Sequence, residues 1–465
     1  MIKKLFRRGP RRPGLVVAAV LAVSAAVAAL TVGPLDAPAV VSDAARDLGL
    51  VAQRPVVPVS PGRCAQLYGA RCYGPVQINR AYGLDRLHAA GTRGQGRTVA
   101  VVMPFHNPDL AKDLATYSRR FGLPPAELEV LRYLDAPTAR IGDPEQAARA
   151  QEASVDVQTV HATAPAAKII AVETPSDLGG DLTGVRRLIE AIGWVAAIRP
   201  IDAVTVSYGV SEQNFAERAG GPGDYHLLAA LRGGLESAYA RGVTLIASTG
   251  DWGPTGPILK DGALYKFREV AWPGSDPLVT AVGGTRLHLD DHGARTAPDQ
   301  VWDDPGGYGE ATGGGLSRAF GRPRVQDRVA DVVGDRRGVP DVALNGAPES
   351  REWHYSSRYQ VLPKQRPGWV RVAGTSIAAP RLAGLVALAA QQAGRPLGDI
   401  RPALYAAQGS PAAGLTDLIT GTNTANGVPG FPATPGFDLA SGTGALGDGA
   451  RLVRTLARAA EAAPR

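Results

Sequence analysis

The chain has 465 residues, of which 45% are hydrophobic and 20% are charged, a composition that supplies enough apolar material for a large globular core. Its formal net charge of +7 includes the basic residues of MIKKLFRRGPRR at the N-terminus, so the remainder of the chain is less basic than the total suggests. Since no basic helix or arginine cluster with interleaved aromatic residues follows, binding to nucleic acid is not expected.

Residues 1–33 have the organisation of a secretory signal. A cationic stretch through Arg12 leads into the apolar run GLVVAAVLAVSAAVAAL, and the small residues Ala26 and Ala28 suit a cleavage site. We predict a signal peptide over residues 1–33, a secreted protein and no membrane contact after cleavage. The paired arginines leave twin-arginine export open. An uncleaved membrane anchor is the alternative, because the apolar run is near the lower length of a membrane span.

Residues 34–72 are predicted to be a short pro-segment or linker. As far as about residue 60 they are rich in Pro, Ala and Val and show no clear periodicity. The two cysteines of the chain, Cys64 and Cys72, lie in RCAQLYGARC. Their close spacing in an exported protein favours a disulfide that closes a short loop and stabilises the fold by about 2–3 kcal/mol. A metal site would need further ligands.

From Tyr73 onward, short β-branched runs alternate with longer amphipathic stretches, which is typical of βαβ units around a parallel sheet. Strands are predicted at RTVAVVMPF, AAKIIAVET, DAVTVSYG, VTLIASTG and PLVTAVGGT. Helices are predicted at DLAKDLATYSRRF, LTGVRRLIEAIGWVAAI and YHLLAALRGGLESAYARG, and residues 286–373 are expected to form long loops with short strands.

The fold class that follows is α/β: a single doubly wound, mostly parallel sheet with flanking helices. We assign this domain to residues 73–455 and a C-terminal tail to residues 456–465. In such a fold the active site is expected at the carboxyl ends of the strands.

Ser376, in GTSIAAP, is a candidate nucleophile at the start of a helix. Gly374 and the small residues after the serine would let a substrate backbone approach the hydroxyl, and Pro380 is tolerated only near the first turn. At that position the helix dipole favours developing negative charge. The alternative is that Ser376 only caps the helix, as serine commonly does before an apolar run.

A serine nucleophile needs a base, and a histidine is not evident for that role. The segment around Ser376 also resembles the nucleophile segment of the subtilisins, which need an aspartate at the end of an early strand and a histidine in an HGTH-like context. The strand in TVAVVMPFHN ends without an aspartate, and none of the seven histidines has that context. His161 is better explained as a partly buried helix residue. A Ser-His-Asp triad is not expected.

Three carboxylates offer another route. Glu152 and Asp156 are four residues apart in QEASVDVQTVHATAP, so a helix places both on one face. In a cleft, burial and mutual repulsion would raise at least one pKa, and the pair could accept the proton of a serine. A solvated acidic helix face is the alternative. Asp251 follows an apolar strand in LIASTGDWG, where a protonated carboxyl could donate to an oxyanion or, alternatively, only cap a turn.

Taken together, these segments resemble the sedolisins, the serine-carboxyl peptidases, which have a subtilisin-like fold and use Ser, Glu and Asp. The matching stretches run in family order from about Tyr73 to Gly447: CYGPVQINRAYGL, EASVDVQ, APAAKIIAVE, VTVSYGVSE, STGDWG, VTAVGGT, GGGLS, RGVPDVA, VAGTSIAAP, DLITGTN and ATPGFDLASGTGAL.

The resemblance implies a role for each candidate side chain. Ser376 matches the nucleophile, Glu152 the general base, and Asp156 the residue that orients and protonates Glu152. Asp251 matches the donor to the oxyanion. Because Asp251 must be protonated to donate, the resemblance implies an acidic pH optimum.

The resemblance also implies one structural calcium ion. The family's ligands match the side chains of Asp417 and Asp438 and the main-chain carbonyls of Leu418, Thr434 and Gly436. Two aspartates in a polar loop of Gly, Thr and Asn are suitable hard oxygen ligands for Ca²⁺. An ordinary Asp/Gly turn is the alternative.

The predicted function is that of a secreted, monomeric serine-type peptidase that hydrolyses peptide or protein substrates at acidic pH through an acyl-enzyme. Three features depart from the family. Only about forty residues separate the signal from the catalytic match, where sedolisins carry a large prodomain; Trp252 replaces a serine after the oxyanion aspartate; and Thr434 and Phe437 replace glycine and tryptophan near the metal. The missing prodomain favours an alternative function, a non-catalytic exported module that uses the peptidase scaffold for binding. A subtilisin-like enzyme with an unusual base would instead act near neutral pH.

Overall fold

The computed structural model describes residues 56–140, 142–175, 182–219, 223–304, 306–358 and 368–462. The predicted signal peptide and most of the predicted pro-segment therefore lie outside the described residues. Within these ranges, no helix combines the length and the apolar character that crossing a membrane requires.

Strands and helices alternate through most of the described chain, as the sequence pattern predicts. In chain order the strands are β1 Arg71–Tyr73, β2 Thr98–Pro104, β3 Glu127–Arg132, β4 Lys168–Thr174, β5 Ala203–Val206, β6 Val210–Ser211, β7 Thr244–Ser248, β8 Ala271–Trp272, β9 Thr280–Arg286, β10 Gln300–Val301, β11 Gly315–Gly321, β12 Arg336–Val339, β13 Val342–Asn345, β14 Ser350–Ser356, β15 Gly368–Val372, β16 Leu415–Thr416 and β17 Ala445–Leu446. The helices are α1 Pro61–Tyr68, α2 Pro75–Ala81, α3 Leu84–Ala89, α4 Leu110–Phe121, α5 Pro144–Thr163, α6 Thr183–Ile198, α7 Gln213–Ala219, α8 His226–Leu231, α9 Gly233–Ala240, α10 Ala330–Val333, α11 Thr375–Ala393, α12 Arg401–Ala406 and α13 Gly449–Ala462, with 3₁₀ turns at Tyr133–Asp135 and Arg324–Val329.

One large sheet forms the centre of the fold. Its strand order across the described residues is β3-β4-β2-β5-β7-β9-β13-β17-β16, and β10 pairs with β9. Neighbours from β3 to β17 are parallel, whereas β16 and β10 pair antiparallel. Because strands of a parallel sheet are covered on both faces, they are continuous apolar runs, and residues 99–103 of β2 are fully buried. The predicted α/β fold with a mostly parallel sheet is confirmed.

Helix α11, which begins just before the candidate nucleophile, lies inside the core, and its residues 377–390 are all buried. It packs against α5, α13 and the central strands β5, β7 and β9. At Gly384 a Cβ atom would lie 2.7 Å from the Cβ of Thr163 on α5, so only glycine allows the two helices to approach this closely. This contact sets the separation of the two helices that carry Ser376 and the Glu152–Asp156 pair.

The predicted disulfide joins Cys64 and Cys72, and both cysteines are buried against Trp353. The bond links α1 to β1, and β1 pairs in parallel with β14. Residues 61–72 are thus integrated into the folded unit, although the sequence analysis assigned them to a pro-segment or linker. The reason is a packing partner far along the chain, which local composition does not reveal.

Two further boundaries differ from the sequence-based assignment. The helix predicted over residues 225–242 consists of α8 and α9, which meet at Arg232, and Gly234 then packs so closely that a Cβ would lie 1.9 Å from the carbonyl oxygen of Ile189. Helix α13 continues past residue 456, where the tail was expected to begin, because Leu456 and Ala460 are buried against the domain.

Candidate active site

Glu152 and Asp156 lie one turn apart on α5, as their spacing predicts. Asp156 is fully buried, and Glu152 is partly buried, with its Oε1 atom shielded from solvent. Burial raises the pKa of both carboxyls, and the nearby charge of Glu152 raises the pKa of Asp156 further. Glu152 Oε1 and Asp156 Oδ2 find no hydrogen-bond donor among the described residues, so one proton held between the two carboxyls would satisfy both atoms.

Ser376 is the second residue of α11, and its hydroxyl lies beside Glu152, whose pKa it lowers by hydrogen bonding. The helix cap is Gly374, which forms no side-chain cap, so Ser376 does not have the capping role that was the alternative. Gly374 has φ 135°, and a Cβ there would lie 2.9 Å from Asp251 Oδ2 and 3.4 Å from Ser376 Oγ. Backbone conformation and space both require glycine at this position.

Asp251 follows β7 at its carboxyl end, where the fold is expected to place an active site. The main-chain N–H and the hydroxyl of Thr375 each donate to Asp251 Oδ1 at 2.8 Å, and the N–H of Gly250 donates to Thr375 Oγ1 at 3.1 Å. Oδ2 borders Gly374, and the Ser376 hydroxyl borders the same glycine. Burial raises the pKa of Asp251, while the hydrogen bonds from Thr375 lower it.

Ser207, directly after β5, is a site residue that the sequence analysis missed. Its hydroxyl donates to Asp156 Oδ1 at 2.9 Å and also lies 3.4 Å from the main-chain carbonyl oxygen of Ser376. That carbonyl has no helical partner, because the residue four positions later is Pro380, which has no N–H. The signals for Ser207 in the sequence were its position at the carboxyl end of a predicted strand and its place in the family-matching stretch VTVSYGVSE.

His161 does not belong to this group. It is fully buried rather than partly buried on α5, and its Nε2 donates to the carbonyl oxygen of Pro124 at 2.9 Å. Burial lowers its pKa to about 4, so the imidazole is neutral through most of the pH range. The structure thus brings Ser376 together with carboxyl groups rather than with this histidine.

The residues predicted to bind calcium lie together in the loops before and after residue 430. The N–H of Gly436 donates to Asp417 Oδ2 at 2.9 Å, and the N–H of Thr434 donates to Asp438 Oδ2 at 3.2 Å. Asp417 Oδ1 is buried and has no partner among the described atoms, which suits a hard cation. The described residues contain no cluster of three or more His, Cys, Asp or Glu side chains suited to a metal. The predicted site has only two carboxylates and three carbonyls, so it would not form such a cluster.

The sequence model of the Subtilase family matches residues 145–436, a span that includes Glu152, Asp156, Asp251 and Ser376. Kumamolisin from Bacillus sp. (strain MN-32) is 31% identical over 392 residues, which are 83% of this chain and 63% of kumamolisin. Sedolisin from Pseudomonas sp. (strain 101) is 33% identical over 216 residues, which are 45% of this chain and 34% of sedolisin.

The chain belongs to the sedolisin family of the subtilases. The resemblance found in the sequence is thereby confirmed. A solved structure described as Pseudomonas sedolisin, a serine-carboxyl proteinase complexed with two molecules of pseudo-iodotyrostatin, has the same fold, with a TM-score of 0.66 at 24% identity over 83% of this chain and 97% of that chain. The chain spans less than two thirds of the length of the two curated sedolisin-family relatives, kumamolisin and sedolisin.

Proposed function

We propose that this member of the sedolisin family is a serine-carboxyl peptidase that hydrolyses peptide bonds at acidic pH. The observation that carries the proposal is the position of the Ser376 hydroxyl beside a buried carboxyl pair at the start of a buried helix. A buried pair that can hold one proton is a base for a serine hydroxyl, and it needs no imidazole. Asp251, whose Oδ2 borders Gly374 as Ser376 Oγ does, supplies a further acidic group at the site.

The chemistry is acyl transfer in two halves. Ser376 Oγ attacks the peptide carbonyl carbon while its proton passes to Glu152, and Asp156 keeps Glu152 oriented. The negative charge that develops on the carbonyl oxygen accepts a hydrogen bond from protonated Asp251. The C–N bond then breaks as Glu152 returns the proton to the leaving amine. Water releases the acyl group from Ser376 by the same proton transfers.

The competent state therefore holds one proton on the carboxyl pair and one on Asp251. Burial raises the pKa of all three groups, so each keeps a proton at a higher pH than an exposed carboxyl does. Activity falls on the acid side when the pair takes a second proton. It falls on the alkaline side when Asp251 or the pair loses its remaining proton.

The proposed structural ion is one Ca²⁺, held by the carboxylates of Asp417 and Asp438 and the carbonyls of Leu418, Thr434 and Gly436. The orphaned Asp417 Oδ1 atom and the oxygen-only donor set support this assignment. Bound calcium would link the two ends of the segment that connects β16 to β17. It takes no part in the proton transfers above.

The remaining parts of the proposal concern the context in which the chain acts. We propose a signal peptide over residues 1–33, secretion after its cleavage, and a monomer that acts on peptides or proteins and does not bind nucleic acid or membranes. The charge pattern and apolar run of the N-terminus support export. The contacts of α1 and β1 with the domain support a mature chain that retains residues 61–72.

The direct test is a pH–activity profile on a mixed peptide library. Ser376→Ala and Glu152→Gln should each abolish hydrolysis between about pH 3 and pH 5, while each variant still folds and unfolds in one cooperative transition. Ser118→Ala is a matched control, because among the described residues that buried hydroxyl donates only to the Leu114 carbonyl of its own helix. Retained hydrolysis in either active-site variant would refute the mechanism. A folded wild-type chain with no hydrolysis, and no covalent adduct with a peptide aldehyde, would favour the non-catalytic binding module.

A further inference from the structure

Arg149 lies on α5, one turn before Glu152. Along that helix it is the cation nearest to the carboxyl pair of Glu152 and Asp156. Its guanidinium is 5.0 Å from the centre of the Tyr208 ring, a cation–π contact. Its Nη2 atom lies 3.4 Å from Glu145 Oε1, and its side chain is 31% exposed. The Tyr208 ring and Glu145 thus hold the charge at the edge of the site rather than free in solvent.

Tyr208 connects this cation to the carboxyl pair. It follows Ser207 after β5 and is almost fully buried. Burial raises the pKa of its phenol, the charges of Glu152 and Asp156 raise it further, and Arg149 lowers it. The phenol is thus within electrostatic range of both carboxyls and of the guanidinium, in a buried position where solvent screening is weak.

We propose that Arg149 is a positioning residue for the reaction: its guanidinium, fixed over Tyr208, stabilises the ionised form of Glu152 that accepts the Ser376 proton, and it thereby extends activity toward lower pH. This inference rests on the proposed function and names a residue that the Ser-Glu-Asp set does not include. Arg149 also lowers the pKa of Glu152, in the direction that the geometry requires.

The other groups that face Glu152 do not supply this positive charge. Asp156 on the same helix and Asp251 after β7 are acidic, and Asp251 raises the pKa of Glu152. Ser376 from α11 and Tyr208 from the segment after β5 are neutral in the working range. Ser376 and Asp156 lower the pKa of Glu152 by hydrogen bonding, and Arg149 is the cation that lowers it through its charge.

The test is the pH dependence of kcat/KM for Arg149→Gln, Arg149→Lys and the control Arg140→Gln. Arg149→Gln keeps the length of the side chain and removes its charge. We expect the acid limb of the profile to move up by about half a pH unit, which lowers kcat/KM about threefold on that limb. Arg149→Lys keeps the positive charge, so its acid limb should lie close to that of the wild type. Arg140→Gln should leave the profile unchanged, because Arg140 is 72% exposed and pairs with Asp143 at the start of the helix.

An acid limb that stays in place in an active Arg149→Gln variant, or a uniform loss at every pH, would overturn the inference. A rise in KM without a shift of the limb would do so too, since it would make Arg149 a substrate contact. If Arg149→Gln does not fold, Glu145→Gln serves instead: it removes the negative partner of Arg149, so the limb should move to lower pH, and an unmoved limb would refute the inference.

A second readout separates this inference from the proposed function. The free energy of unfolding, measured by denaturant between pH 3 and 8, senses the ionisation of Glu152 even in a chain without peptidase activity. The Arg149→Gln substitution raises the pKa of Glu152. As the pH rises, the free energy of unfolding of the variant should therefore continue to fall up to a higher pH than that of the wild type. Identical pH dependence in the two proteins would overturn the role of Arg149, whereas an inactive wild type would refute only the peptidase function.

Discussion

The Ser207 hydroxyl donates to Asp156 Oδ1 at 2.9 Å, and the hydroxyl oxygen of Ser207 also lies 3.4 Å from the main-chain carbonyl oxygen of Ser376. One side chain therefore touches both the carboxyl pair and the residue that carries the nucleophile. Because Oδ1 of Asp156 is occupied by this donor, the proton of Asp156 belongs on Oδ2, which has no other partner among the described residues. A proton on Oδ2 can be shared with Glu152.

Ser207→Ala is expected to lower kcat/KM by about 10- to 100-fold, since a hydrogen bond to a charged or proton-sharing group contributes about 1.5–3 kcal/mol. The loss should appear mainly in kcat, because Ser207 orients the base rather than the substrate. Steady-state kinetics at the pH optimum measure it. Ser211→Ala is the control, because the Ser211 hydroxyl forms a long hydrogen bond of 3.4 Å to the Pro257 carbonyl and does not contact the carboxyl pair. Equal kinetics in wild type and Ser207→Ala would contradict the assignment.

Asp251→Ala is expected to reduce kcat about 100- to 1000-fold, the usual cost of removing one oxyanion donor. Asp251→Asn should retain more activity, because an amide donates at every pH. Its profile should lose the alkaline limb that comes from ionisation of Asp251, whose pKa is raised by burial. Comparison of the two pH profiles checks the prediction. An alkaline limb that is unchanged in Asp251→Asn would show that another group controls it.

A second pair of buried carboxyls lies away from the candidate active site. Glu212 and Glu269 are brought together where β6 pairs with β8, and both are almost fully buried. The hydroxyl of Ser317 and the N–H of Arg318 donate to Glu212. Glu269 Oε2 has no hydrogen-bond partner among the described residues and lies 3.8 Å from the Arg318 guanidinium. Burial raises the pKa of Glu269 to about 8, and the charge of Glu212 adds to the effect.

This pair should make the protein less stable as the pH rises. Glu269 takes up its proton near pH 4.5 in the unfolded chain but near pH 8 in the folded one, so the folded state binds the extra proton between these values. The unfolding free energy contributed by the group is present below about pH 4.5 and is lost by about pH 8, a change of about 3–5 kcal/mol. Glu269→Gln should flatten this dependence in denaturant unfolding measured across that range. Glu236→Gln, at an exposed glutamate paired with Arg232, should not.

Calcium chelation should lower the unfolding temperature of the wild-type protein. An ion present at 100 times its dissociation constant stabilises the folded state by about 2.7 kcal/mol. Differential scanning calorimetry with EGTA, and again after calcium is restored, measures the shift. Asp417→Asn should abolish the response, because it removes the charge beside the buried oxygen that lacks a partner. An unfolding temperature that does not depend on calcium would contradict the site.

The central sheet could be predicted from the sequence because strands that are covered on both faces consist of continuous apolar residues. Residues 99–103 form an unbroken apolar run for that reason, and the disulfide between Cys64 and Cys72 follows from their spacing. The break between α8 and α9 could not be predicted, since it depends on the contact of Gly234 with Ile189 on another helix.

The carboxyl residues of the candidate site could be found because their spacing on a helix or their place after a strand is local information. The residues that hold them in position, Ser207 and Thr375, lie in stretches that match the family, but those stretches do not assign them a role. Their roles depend on which oxygen atoms they reach across the fold. The Glu212–Glu269 pair was missed for the same reason: it arises from the pairing of two short strands about sixty residues apart.

Pro380 has a cost that the protein retains. A proline inside a helix is about 3 kcal/mol less favourable than alanine, and here it leaves the carbonyl of Ser376 for the hydroxyl of Ser207. An engineer who replaced it to gain heat resistance would restore the missing main-chain bond and draw that carbonyl away from Ser207. The helix would then be more stable, but the Glu152–Asp156 pair that Ser207 contacts would be less ordered. Stability and activity often conflict in this way at an active site.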